Sequence, residues 1–117
     1  MASLRYHLII DLSGVSPEKL TGKDNLEQFI GNLADLIKMK ILYGPVGING
    51  VEKNPGVTCF AVIDYSHISV HTFTDSAQAM VDIFSCKVFD QQQAVDAVLK
   101  YFTVTKEQAQ VKVVSNG

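Results

Sequence analysis

The chain opens on an alternating run, Leu4, Tyr6, Leu8, Ile10 and Leu12, whose period of two reads as a first β-strand. Gly14, Ser16 and Pro17 then mark a loop. From Asp24 the period changes: Leu26, Phe29, Ile30, Leu33 and Ile37 recur at helical spacing, and Asp24 with Glu27 has the form of a capping box, so a helix is predicted to about Met39. Lys40 to Tyr43 reads as a short strand. Gly44 to Gly56, with Pro45, Gly47, Gly50, Asn54 and Pro55, reads as a long loop of the kind that contributes to sites.

Period two returns in Val57 to Ile63, His67 to Phe73 and Ala79 to Phe84, which gives three more strands. Asp90 with Gln93 repeats the capping pattern ahead of a second helix, whose apolar stripe is Val95, Val98, Leu99 and Phe102. Thr103 to Lys106 ends it, and Val111 to Val114 makes a last edge strand. This order predicts an α+β fold, a two-layer α/β sandwich of a mainly antiparallel sheet with two helices on one face. Two helices cover one face only. Phe60, Val62, Met80 and Phe84 leave apolar positions for the other, which is expected to meet a second copy, dimerising into a larger sandwich with a site in between.

The length of 117 residues fits a single domain, 1–117, with a real core. With 19% charged residues and a formal net charge of -2 there is no basic footprint, so neither nucleic acid nor an anionic membrane surface is expected as a partner. A small-molecule substrate and another copy of the chain are. No apolar run approaches the roughly 20 residues of a membrane span. Met1 to His7 lacks the pattern of a signal peptide, and the expected localisation is cytoplasmic, with Cys59 and Cys86 as thiols.

The chemistry concentrates in Asp64 to Thr72, where nucleophilic and titratable side chains are strung along a strand. Alternation puts His67, Ser69 and His71 on one face and Ile68, Val70 and Thr72 on the other. Zinc has possible ligands in Asp64, His67, His71 and Cys86, but residues four apart on a strand lie roughly 13 Å from each other. No metal is expected. Ser66 has no Gly-x-Ser-x-Gly elbow around it, which speaks against a Ser-His-Asp hydrolase. Taken singly, Ser66 reads as a turn serine, the histidines as solvated residues and Cys86 as a core cysteine.

Taken in order, Gly56-Val57-Thr58, Ser66-His67, Ser69-Val70-His71-Thr72 and Val81-Asp82-Ile83-Phe84-Ser85-Cys86 resemble the short prokaryotic S-adenosylmethionine decarboxylases. That family carries a Glu-Ser-His-(Leu/Ile)-(Ser/Thr)-Ile-His-Thr core followed by Asp-x-Phe-(Thr/Ser)-Cys. The spacing from Ser66 to His71 and on to Cys86 matches without a gap, and the resemblance covers most of the chain. It implies a proenzyme that cleaves itself between Tyr65 and Ser66 into 1–65 and 66–117, converting Ser66 into a covalent pyruvoyl cofactor. Ser66 would attack the carbonyl of Tyr65, Thr58 would supply a hydroxyl to the oxyanion, and His71 would be the processing base. The pyruvoyl carbonyl would then form a Schiff base with the substrate amine, and Cys86 would be the proton donor. Tyr65, His67 and Asp75 are expected to contact the substrate.

On one straight strand Ser66 and His71 would stand roughly 16 Å apart and on opposite faces. The family builds each site from two equivalent units, so Thr58 and His71 of one copy are expected to serve Ser66 and Cys86 of the other in an isologous homodimer. Three departures concern the substrate: Tyr65 stands where the family has glutamate, Asp75 where it has glutamate, and Ile48 to Val57 lacks the aromatic that stacks on adenine. The leading expectation is decarboxylation of S-adenosylmethionine for polyamine (spermidine) biosynthesis. The alternatives are a pyruvoyl-dependent decarboxylase of a basic amino acid, arginine or ornithine, and a non-processing binding homologue.

Overall fold

The computed structural model describes residues 4–116. Six strands form one sheet: β1 (Arg5–Leu12), β2 (Ile41–Val51), β3 (Asn54–Ile63), β4 (Ser66–Phe73), β5 (Gln78–Ser85) and β6 (Ala109–Asn116). Their spatial order is β2-β3-β4-β5-β1-β6, and every pairing is antiparallel. Three helices, α1 (Pro17–Thr21), α2 (Lys23–Leu36) and α3 (Gln91–Phe102), share one core with the inner face of the sheet. The α+β sandwich is as the sequence predicts, with the five-residue α1 added to the two expected helices. Among the described residues no helix is long and apolar enough to cross a membrane.

Strand alternation decides which side chains are dry. Leu8, Ile10, Cys59, Ala61, Ile68, Val70, Val81 and Ile83 point to the helices and are fully buried or nearly so, against Leu26, Ile30, Leu33, Ala94, Val98 and Phe102. Each fully buried Leu, Ile or Val stabilises by about 1.5–3 kcal/mol. The opposite face carries Thr58, Phe60, Val62, His67, Ser69, His71, Met80, Asp82, Phe84, His7 and Ile9, none of them buried. Among the described residues no element covers it.

The expected loop from Gly44 to Gly56 is instead most of a hairpin. β2 runs from Ile41 to Val51 and pairs with β3 down to Asn54, with register shifts on either side of Tyr43 and between Asn49 and Val51. β2 is an edge strand, so proline at position 45 and the bulges are tolerated where a central strand would lose ladder bonds. Gly44 has φ 89, and a Cβ there would come within 2.9 Å of the Phe60 carbonyl oxygen. Glycine is what lets the strand pass.

The two expected capping boxes fare differently. Asp90 caps α3, accepting from the amide of Gln93 at 3.0 Å. α2 begins one residue before Asp24, with Gly22 at its N-cap and no side-chain cap. Glu27 reaches across to β2, where Oε2 accepts from the amide of Gly47 at 2.7 Å. The helix stops at Leu36 rather than near Met39, because Lys38 turns the chain with φ 63.

Candidate active site

β3 and β4 are joined by a two-residue turn, Asp64-Tyr65, closed by the pair Ile63 and Ser66. Two-residue hairpins need positive φ to match the twist of their strands. Asp64 and Tyr65 are not among the positive-φ residues, whereas Ser66 has φ 149. The first residue of β4 thus carries a conformation that side chains other than hydrogen rarely adopt, at a cost of about 1–3 kcal/mol.

The turn is held from both sides. Asp64 accepts from the amide of Lys40 at 3.0 Å and donates its own amide to the Lys40 carbonyl at 2.8 Å. The Tyr65 carbonyl accepts from the amide of Cys86 at 3.0 Å, one step beyond the last β4–β5 pair, Ser66 with Ser85. Lys87 places its ammonium 4.6 Å from the centre of the Tyr65 ring. Tyr65, Ser66 and Cys86 therefore meet at one end of the sheet.

Thr58 and His71 meet near the other end. They face each other across the β3–β4 ladder, with Thr58 Oγ1 3.0 Å from His71 Nδ1. Next to His71, Thr72 is buried; its hydroxyl donates to the Leu20 carbonyl at 2.6 Å and accepts from the Val57 amide at 2.8 Å, which fixes this part of β4 against α1 and β3. Gly56 allows the close approach: at φ 150, a Cβ would lie 1.9 Å from the Thr72 carbonyl oxygen. Asp75 is exposed in the turn after β4, at the same end.

A model of the family described as S-adenosylmethionine decarboxylase matches residues 6–115. The chain belongs to this family. It is 30% identical over 119 residues to an S-adenosylmethionine decarboxylase proenzyme from Clostridium botulinum (strain Loch Maree / Type A3), covering 96% of this chain and 93% of that one. It is 26% identical over 109 residues to the proenzyme of the same name from Pyrococcus furiosus, covering 87% of this chain and 72% of that one. The fold matches the crystal structure of the adenosylmethionine decarboxylase from Aquifex aeolicus with a TM-score of 0.77 at 20% identity, over 100% of this chain and 93% of that one.

Within this S-adenosylmethionine decarboxylase fold, the residues singled out in the sequence fall into two groups on one chain. Tyr65, Ser66 and Cys86 form the first, Thr58 and His71 the second, and five residues of unbroken β4 register separate Ser66 from His71. His67 lies on the open face stacked on Phe84, with ring centres 5.5 Å apart and planes at 11°. Phe84 also takes the edge of His7 and the Arg5 guanidinium, 5.3 and 5.6 Å from its centre.

Taken singly, Cys86 reads as a core cysteine, and the structure places it otherwise. Cys86 is exposed at the strand end and Cys59 is the core cysteine. Burial, with a smaller contribution from the Glu27 carboxylate, pushes the Cys59 thiol up to about 11. Asp64, a possible metal ligand by residue type, spends a carboxylate oxygen on the Lys40 amide. Sequence reasoning also passes over the 2.6 Å contact between His7 Nε2 and Asp82 on the open face, because 75 residues separate the two. Ser85 is missed as well. It is the partner of Ser66 in the ladder and has no exposed surface.

Proposed function

We propose that this chain is a cytoplasmic, self-processing proenzyme that cuts itself between Tyr65 and Ser66 and then decarboxylates S-adenosylmethionine, a step toward polyamines such as spermidine. The observation that carries the reading is Ser66 itself. It is strained at φ 149 directly after a carbonyl held by the Cys86 amide, so the peptide bond to be cut is both polarised and under tension. The same observation supports a pyruvoyl group, since that group forms from a serine at a bond that breaks.

Ser66 Oγ adds to the Tyr65 carbonyl carbon, and the carbonyl π pair moves onto oxygen. Collapse of that oxyanion breaks the C–N bond, and the hydroxyl proton ends on the Ser66 nitrogen, leaving an ester. The Thr58 hydroxyl stabilises the oxyanion. His71 removes the Ser66 α-proton; its electron pair forms the Cα–Cβ double bond as the Cβ–Oγ bond breaks, and the Tyr65 carboxylate leaves. Water then replaces the amino nitrogen, which departs as ammonia, and fragment 66–117 begins with a pyruvoyl group.

That group supplies an electron sink for loss of carbon dioxide. Cys86 Sγ gives the proton that the product carbon takes up, and Tyr65 and His67 of the same chain line the substrate together with Asp75 of a second copy. Since β4 sets Ser66 and His71 roughly 16 Å apart by strand rise, Thr58 and His71 act on Ser66 of a second copy, in a homodimer joined through the open sheet faces. The exposed apolar side chains Val62 and Met80 on that face support this.

The mass spectrum of purified protein tests the reading: fragments 1–65 and 66–117 are expected, and a single 12.8 kDa species overturns it. A basic amino acid as substrate is the second reading, favoured by Tyr65, by Asp75 and by the absence of an aromatic from Ile48 to Val57 around the β2–β3 turn. Carbon dioxide release from S-adenosylmethionine, arginine and ornithine separates the two. Release from arginine or ornithine alone sinks the leading reading.

A further inference from the structure

Resting on the self-cleavage reading above, we propose that the backbone amide of Cys86 is a donor to the oxyanion formed at Tyr65, and that Ser85 is the positioning residue that aims it. The amide lies 3.0 Å from the Tyr65 carbonyl oxygen, the atom on which negative charge develops when Ser66 attacks. A backbone donor of this kind is fixed before the reaction begins and needs no reorganisation as charge develops. It also belongs to the same chain as Ser66, whereas the hydroxyl of Thr58 comes from a second copy.

What fixes that amide is the turn after β5. Ser85 is fully buried, and its hydroxyl is satisfied entirely by Lys87: it donates to the Lys87 carbonyl at 2.7 Å and accepts from the Lys87 amide at 2.9 Å. These two bonds close a tight ring around Cys86, and the bend leaves the Cys86 amide continuing the ladder one step into the hairpin turn. Lys87 extends the same clamp, with its ammonium over the Tyr65 ring and 3.3 Å from the Lys38 carbonyl. The scissile carbonyl is held by a turn whose shape depends on one buried hydroxyl.

The step being assisted is the addition of Ser66 Oγ to the Tyr65 carbon, so ester formation is the quantity to measure. In a His71→Ala background, where the reaction stops at the ester, hydroxylamine cuts the accumulated ester and reports that step alone. Pulse-chase of freshly translated chain gives its rate. Ser85→Ala is expected to slow ester formation by about 10- to 100-fold, within the range for weakening one oxyanion donor. Ser85→Thr, which keeps the hydroxyl, is expected to restore it. Replacing residue 86 by the α-hydroxy acid of cysteine puts oxygen in place of the amide N–H while keeping the thiol, and is expected to slow the step by about 100-fold or more. Hydroxylamine also cuts the ester so introduced between residues 85 and 86, so in this chain the step is read from the fragment that ends at Tyr65. This second variant keeps the test decisive if Ser85→Ala fails to fold. A parent chain that never forms ester refutes self-cleavage. A parent that forms it at the same rate as the α-hydroxy acid chain, or as folded Ser85→Ala, refutes this inference alone.

Discussion

Thr58 Oγ1 lies 3.0 Å from His71 Nδ1, a cross-strand contact that engages one ring nitrogen and leaves the other without a hydrogen-bond partner among the described residues. A histidine oriented through one nitrogen is suited to move protons at the other. His71→Ala is therefore expected to stop the chain at the ester, so that hydroxylamine, and not water, releases fragment 66–117. Thr58→Ala should slow ester formation by about 10²-fold or more. Normal maturation of His71→Ala would remove it as the base.

Ser66→Ala should leave the chain whole, since no nucleophile remains. Coexpressed with His71→Ala, it makes a sharper test of the shared site. If the site is shared as proposed, a mixed dimer would contain one complete site, formed by Ser66 of the His71→Ala chain and by Thr58 and His71 of the Ser66→Ala chain. The His71→Ala chain should then mature to the pyruvoyl fragment in the mixture and not alone. If coexpression leaves it stalled, the site is not built from two copies.

Cys59 makes stability fall at alkaline pH. Its thiol ionises near 9.0 when freed by unfolding and is held up to about 11 in the fold. Between those values the unfolded chain loses a proton that the folded chain keeps, so stability is full below about pH 9 and drops toward pH 11, by on the order of 2–3 kcal/mol. Thermal unfolding followed across that window should show the loss, and Cys59→Ala should flatten it. Alkylation at pH 8 should modify the exposed Cys86 and spare Cys59.

Thr72→Val should destabilise without touching the proposed chemistry directly. It strands the Val57 amide and the Leu20 carbonyl in a buried place. The expected loss is about 2–3 kcal/mol, a fall in Tm on the order of 10 °C by calorimetry. A Tm within a degree or two of the parent would mean that the hydroxyl is not needed there.

The alternation of Leu4 to Leu12, Val57 to Ile63, His67 to Phe73 and Ala79 to Phe84 was enough to determine four of the six described strands and which of their side chains share a face, because burial repeats with the pleat. The helical stripe from Leu26 to Leu33 likewise marks the face of α2 that is buried. Ser66, His71 and Cys86 were singled out through the family resemblance, since by residue type alone each reads as an ordinary turn, surface or core residue. β2 was not, because its glycines and proline read as a loop until pairing with β3 supplies hydrogen bonds that local propensity cannot foresee.

Tertiary structure alone decided what surrounds the Tyr65–Ser66 bond. The spacing of Asp64 to Thr72 marks a serine on a strand, but φ 149 at Ser66 follows from hairpin closure against β3, and the bond from Cys86 to the Tyr65 carbonyl follows from the register with β5. Which cysteine is buried is likewise a matter of packing rather than of neighbours in sequence. Contacts that join Lys40 to Asp64, Tyr65 to Cys86 and His7 to Asp82 depend on strand order, and sequence periodicity carries faces but not order.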